Sequence, residues 1–230
     1  MLDTHEPSKK QQILNALSNF LTKYRTVFII LLVTIIVGLI AFAVTREIII
    51  KRAEASAVIV EDLQRDYQEW LTAVDDEVKP GLEESCRDQV QDILNRYPRT
   101  YAAQRAFLVL GGMEFELENW TEAEKSFKSL YDRFPESYLG AVALWNLSVV
   151  YERSEAPEEA LETLETLESE YRDTYPDMPH VLFNLGRIEE SFGDIEGARE
   201  RYNDMVDNFP RSNWTKLARD RIIFLDLQGE

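Results

Sequence analysis

Histidine occurs only at His5 and His180, and cysteine only at Cys86. So small a stock leaves metal hydrolysis and nucleophile-base chemistry without their parts. A single thiol rules out a disulfide framework within the chain, and Cys86 is read as inert packing. Glycine and proline are sparse, at nine and eight of 230 residues, with no glycine-rich phosphate loop and no low-complexity stretch. A long disordered region is therefore not indicated. Cations are scarce over most of the chain: residues 54–230 hold 39 acidic and 18 basic side chains, whereas residues 1–53 hold 3 and 7. A domain with that balance of −21 repels phosphate backbones, which sets nucleic acid aside as a partner. The acid excess reads as a solvated surface rather than as paired catalytic carboxylates. No enzymatic activity, cofactor or metal is expected.

What is present begins with an apolar run. Residues 27–44, VFIILLVTIIVGLIAFAV, carry no charge, and their one clearly polar side chain, Thr34, can bond back to its own helix. At about 1.5 Å per residue the run and its flanks cover a bilayer's hydrocarbon thickness, so it reads as a transmembrane helix. Lys9, Lys10, Lys23 and Arg25 precede it, and Arg46, Lys51 and Arg52 follow. That slight excess favours an inside N-terminus and an outside C-terminal domain. Ala41-Phe42-Ala43 has the form of a signal-peptidase site, but the preceding region is long for a secretory signal, so retention as an anchor is expected. No cysteine closely follows the run, which argues against a lipoprotein. Before the span, Ile13, Leu14, Leu17, Phe20, Leu21 and Tyr24 recur at helical spacing, as in a helix lying on the inner leaflet or a plain amphipathic lead-in.

Beyond the span an aromatic residue precedes proline four times, at Tyr97-Pro98, Phe134-Pro135, Tyr175-Pro176 and Phe209-Pro210, with separations of 37, 41 and 34 residues. Such periods mark arrays of helix pairs, each unable to bury its apolar face alone. Proline ends the second helix of a pair because it lacks an N–H and disfavours helix in the residue before it. Small residues follow the prolines in register: Ala103 and Ala106, Gly140 and Ala143, Thr215 and Ala218. The turns agree: Asn119-Trp120-Thr121 offers an N-cap, residues 154–157 an interruption, and Gly193-Asp194 a further stop. A closing helix is expected over about residues 213–227, and a helix over about residues 81–95 completes a degenerate first pair with the stretch holding Leu63, Tyr67, Trp70 and Leu71.

This pattern resembles the tetratricopeptide repeat. Phe107, Leu110, Gly111, Ala123, Phe127 and Pro135 stand at that family's positions, as do Leu144, Leu147, Tyr151, Ala160 and Leu164, and then Leu182, Leu185, Gly186, Ala198, Tyr202 and Pro210. Glu114 departs from the expected tyrosine, Ser148 replaces a glycine, and the stretch before Tyr175 is four residues longer. The resemblance implies an all-α chain: a single transmembrane helix, then an α-solenoid of helix-turn-helix repeats. It also implies a concave groove on the first helix of each pair. Its expected lining, Arg105, Leu108, Val142, Trp145, Val149, His180, Phe183 and Arg187, forms an aromatic and aliphatic strip with basic rims, suited to a segment of another protein. The same side chains can equally be core covered by the closing helix. A clamp for a chaperone's C-terminal carboxylate is not expected, because of its positions Leu108, Gly112, Asn146, His180 and Asn184 only Asn146 matches.

The expected divisions are a tail over 1–26, an anchor over 27–45, a helical linker over 46–78 and the repeat domain over 79–230. That order, and the segment 52–70, resemble the ancillary subunit family of the bacterial SecYEG translocon. The resemblance implies an inner-membrane protein whose periplasmic repeats act as a scaffold or chaperone-like adaptor, contacting translocon components, periplasmic chaperones or client polypeptides. Residues 127–137 and 202–212, with proline-x-serine after the helix, also look like repeats of envelope-assembly and cell-division proteins. A receptor facing the cytosol is a third possibility, given the slight charge bias.

Overall fold

The computed structural model describes residues 9–75 and 77–228. His5 and the first eight residues of the expected tail lie outside these, as do Asp76 of the expected linker and residues 229–230. Among the described residues there are nine helices and no strand: α1 (Lys9–Thr72), α2 (Lys79–Arg96), α3 (Tyr101–Glu116), α4 (Trp120–Arg133), α5 (Tyr138–Arg153), α6 (Pro157–Tyr171), α7 (Met178–Ser191), α8 (Ile195–Asn208) and α9 (Asn213–Gln228). Contacts divide the chain into two units, Met1–Arg52 and Ala53–Glu230.

In the first unit, α1 is long and apolar enough to cross a membrane, and its most apolar window is wholly uncovered by the rest of the chain. Thr34 Oγ1 donates to the Ile30 carbonyl at 2.9 Å, so this polar group is satisfied within the helix. The amphipathic stretch before the run belongs to the same helix.

The second unit begins at Ala53, inside the expected linker. The expected linker is divided: Val60, Leu63 and Trp70 of α1 are buried with Cys86, Val90 and Ile93 of α2 and Ala103, Ala106 and Met113 of α3. Residues 53–72 thus serve as the first helix of the array, because their apolar stripe has a partner in α2 and α3. From α3 onward consecutive helices pack pairwise, and one continuous core runs from Phe107 to Leu225.

The recurring proline-x-serine or threonine has a local cause. Tyr97, Phe134 and Phe209 leave helical geometry as C-caps, and proline prevents the helix from resuming. Two residues after each proline stand Thr100, Ser137 and Ser212. Thr100 and Ser137 accept from the N–H of Ala103 and Gly140 and cap α3 and α5, while Ser212 accepts from the Trp214 N–H at 3.2 Å. Asn119 occupies the N-cap of α4 but does not cap it. Its amide donates instead to Glu114 Oε2 at 2.9 Å. The turns α3–α4, α5–α6 and α7–α8 each contain one left-handed residue, Glu118 (φ 58°), Glu155 (φ 59°) and Gly193 (φ 82°) in that order.

The glycine positions record how closely the helices of a pair approach. A Cβ on Gly111 would lie 2.6 Å from the Phe127 ring, and one on Gly186 would lie 2.7 Å from that of Tyr202. In the middle unit the facing residue is Leu164, not an aromatic, and Ser148 is accommodated, fully buried, with Oγ donating to the Trp145 carbonyl at 2.7 Å. Ring and glycine therefore go together, and losing one releases the constraint on the other.

One expectation needs correction. Phe134 and Phe209 lie eleven residues after Ala123 and Ala198, and the residue eleven after Ala160 is Tyr171. Tyr171, not Tyr175, takes the buried end-of-helix position, and the four extra residues 172–175 form an added turn before Pro176. Tyr171 wins because its ring fills the core and its hydroxyl reaches the Pro135 carbonyl.

Candidate functional site

The first helices α3, α5 and α7 each turn one face away from their paired helices, and the eight expected groove residues lie on those faces. Seven are half-buried and Arg187 is exposed. Complete burial would leave nothing for a partner, whereas this stripe keeps part of each apolar side chain accessible.

The residues fall into three neighbouring depressions. Arg105, Leu108 and Val142 share one of about 430 Å³ with Gln64, Tyr67 and Asn146. Trp145, Val149 and His180 share the next, about 450 Å³, with Glu152, Arg153 and Asn184. Phe183 and Arg187 line the third, about 390 Å³, with Glu190, Tyr202 and Arg221. Gln64 and Tyr67 come from α1 and Arg221 from α9, so both ends of the array contribute walls.

Charges along the groove are mostly neutralised in place. Arg187 reaches across from α7 to Glu152 of α5 at 2.6 Å, and Arg221 pairs with Glu190, which also accepts from the Tyr202 hydroxyl at 2.6 Å. Burial would push the Glu190 carboxyl up, but the bonds from Arg221 and Tyr202 prevail and hold it below the usual range. Arg105 is different: it is half-buried and faces the Gln64 carboxamide, with no carboxylate within ion-pair reach among the described residues. Asn146 and Asn184 are occupied by their own helices, donating to the Val142 and His180 carbonyls.

Sequence reasoning missed Trp214. Its indole stacks on His180 with centroids 3.7 Å apart and interplanar angle 9°, and lies 5.5 Å from Phe183. Trp145 flanks the imidazole on α5's side at 4.3 Å. The closing helix therefore covers part of the aromatic strip and leaves the rest open. A signal existed: the fourth position after proline is Ala102 and Leu139 in the earlier units, and an indole in their place cannot be contained in the same core volume. Burial among these rings lowers the His180 pKa, against the opposing Asp177 carboxylate 3.1 Å from Nδ1.

The departure at Glu114 is also explained. Its carboxylate is 5% exposed and accepts from Arg87 of α2 and Asn119. Glu189 holds the same position in the third unit, buried and bound by Arg201 Nε at 3.0 Å, with Oε2 unpartnered. Arg201 also bonds Glu168 of α6 at 2.5 Å. These ionic contacts join second helices to one another and to first helices on the side away from the groove. Among the described residues no group of three His, Cys, Asp or Glu is placed to hold a metal ion.

The model of the family described as "Tetratricopeptide repeat-like domain" matches residues 18–222, a stretch that includes the apolar run as well as the repeats. A "TPR repeat-containing protein" of Treponema pallidum (strain Nichols) is 27% identical over 115 residues, 50% of this chain and 47% of that protein. "Cellulose synthase operon protein C" of Pseudomonas fluorescens (strain SBW25) is 25% identical over 174 residues, 69% of this chain and 13% of that protein. The chain thus spans less than half the length of either relative.

Proposed function

We propose, from the premise that this chain belongs to the tetratricopeptide repeat-like domain family, that it is a single-pass membrane protein whose repeat unit holds segments of other polypeptides. Repeats of this family serve as interaction scaffolds, and none of the site residues is arranged for bond chemistry. The observation that carries the proposal is the half-buried strip Leu108, Val142, Trp145, Val149 and Phe183, which the chain's own helices leave partly open. An apolar segment, extended or helical, fits such a strip, and an acidic residue in that segment would neutralise Arg105. The apolar run uncovered by protein supports membrane anchorage, since its side chains need a lipid environment to leave water.

The finer reading is an inner-membrane scaffold with its repeats in the periplasm, serving translocon components, periplasmic chaperones or emerging clients. The charge bias around the span and the order of anchor and repeats support it. Two measurements test it. A topology reporter fused after Glu230 is expected to be active outside the cytoplasm, and an inward result removes the periplasmic reading. A photo-cross-linker replacing Trp145 or Phe183 is expected to trap translocon subunits or clients. Adducts restricted to division or envelope-assembly proteins would refute the translocon assignment.

A further inference from the structure

The added turn at residues 172–175 has a consequence that solenoid packing does not require, because the first and third units close without one. Together with the α4–α5 turn it bounds a cleft of about 550 Å³ lined by Tyr131, Glu136, Tyr138, Glu170, Tyr171 and Thr174 among others. The walls are held in place. The Tyr131 hydroxyl bonds both Glu170 oxygens at 2.8 Å, and Tyr171 donates to the Pro135 carbonyl. Gly140 makes room for the latter, since a Cβ there would lie 2.9 Å from the Tyr171 hydroxyl and 2.7 Å from the Phe134 carbonyl oxygen. Tyr138 stacks on Tyr175 of the added turn at 6.4 Å, yet remains 60% exposed.

No lysine or arginine lines this cleft. Arg172, the one cation of the added turn, is committed elsewhere, to Asp204 at 2.6 and 2.8 Å and to Glu168. Glu136 and Glu170 have no ion-pair partner among the described residues, and their charge is felt in the cleft. Burial first, then Glu170 and Glu136, push the Tyr171 phenol up to about 12. Ring faces carry a negative quadrupole, so aromatic walls beside uncompensated carboxylates attract one class of ligand, the organic cation. A hard metal ion would need several convergent oxygens, which the described residues do not offer.

We infer that this cleft receives the guanidinium or ammonium group of an arginine or lysine side chain on a partner polypeptide. The inference rests on the reading that the repeat unit binds polypeptides, but it uses the edge formed by the turns rather than the groove. The test uses the full chain in detergent micelles, labelled with 3-fluorotyrosine. The probes are a capped glycine-serine peptide with one central arginine and the same peptide with citrulline, which keeps the shape and lacks the charge. The arginine peptide is expected to shift fluorine resonances saturably and to bind about tenfold more tightly than the citrulline peptide. Tyr138→Leu at an exposed position, and Glu136→Gln with Glu170→Gln, which retains an acceptor for Tyr131, are each expected to weaken arginine binding severalfold. Equal binding of the two peptides, or full arginine affinity in the paired glutamine variant, overturns the inference. Trp145→Ala is expected to leave arginine binding unchanged, and its loss there would place the cation in the groove instead. Should cross-linking from the groove trap no protein while arginine still binds the cleft, the groove reading falls and this one stands.

Discussion

Gly111 and Phe127 offer a sharp test of how the helix pairs are built. Placing a side chain at residue 111 puts its Cβ 2.6, 2.7 and 2.8 Å from three carbons of the Phe127 ring, which is 2% exposed. Ordinary contact needs at least 3.4 Å, so the ring must retreat by about 0.8 Å into a filled core, an overpacking strain on the order of 1–3 kcal/mol. Serine's better helix propensity offsets roughly 0.5 kcal/mol of that. Phe127→Leu alone loses about 1 kcal/mol of packing. The middle unit already pairs serine with leucine, as Ser148 and Leu164, and there the hydroxyl bonds the carbonyl three residues back. In Gly111→Ser the Leu108 carbonyl is the equivalent acceptor. The double variant Gly111→Ser, Phe127→Leu is therefore expected to be no less stable than Gly111→Ser alone, with a favourable coupling of about 1–2 kcal/mol. Thermal unfolding of the full chain in detergent, followed by circular dichroism, measures this at roughly 2–4 °C per kcal/mol. If the two losses simply add, the steric account of these glycines is wrong.

Other substitutions probe the remaining features. Gly193→Ala meets no atom within 4 Å, so its cost comes from φ 82° alone and should be about 1 kcal/mol, whereas Glu155→Gly at φ 59° should cost nothing or stabilise slightly, both read from thermal midpoints. Arg201→Met strands buried Glu189, while Glu168 keeps Arg172, and should cost on the order of 3 kcal/mol, whereas Glu189→Gln, which removes a desolvated charge, should cost far less in the same melts. Burial opposes charge on Glu114, but bonds from Arg87 and Asn119 prevail and hold its pKa below the ordinary 4.5. Its stabilisation is thus present above that value and lost as pH falls through the lowered one, so Glu114→Gln should flatten the acid limb of stability against pH. The His180 pKa is lowered from 6.5 by burial, so its neutral form favours the fold and that contribution fades as pH drops below 6.5. Tryptophan emission from Trp145 and Trp214 should change with a midpoint below 6.5, and the step should vanish in His180→Gln.

The sequence alone determined the helical class, the apolar run and the repeat register of two of the three units, because each is a local or periodic property. Uninterrupted apolarity at 27–44, proline two residues before a capping serine or threonine, and glycine sixteen residues before an aromatic ring can all be read without coordinates. The phase of α3, α5 and α7 was legible for the same reason, since helical period and repeat phase together specify which face of each helix turns away from its partner. Tertiary structure decided what depends on choice between distant partners. Tyr171 and Tyr175 are equally aromatic, and only the core volume and the Pro135 carbonyl select the first. Trp214 reads as one more apolar residue until α9 docks and sets its indole against His180. Residues 53–72 continue a helix in either case, and it is packing against α2 and α3, an interaction across intervening chain, that makes them part of the array.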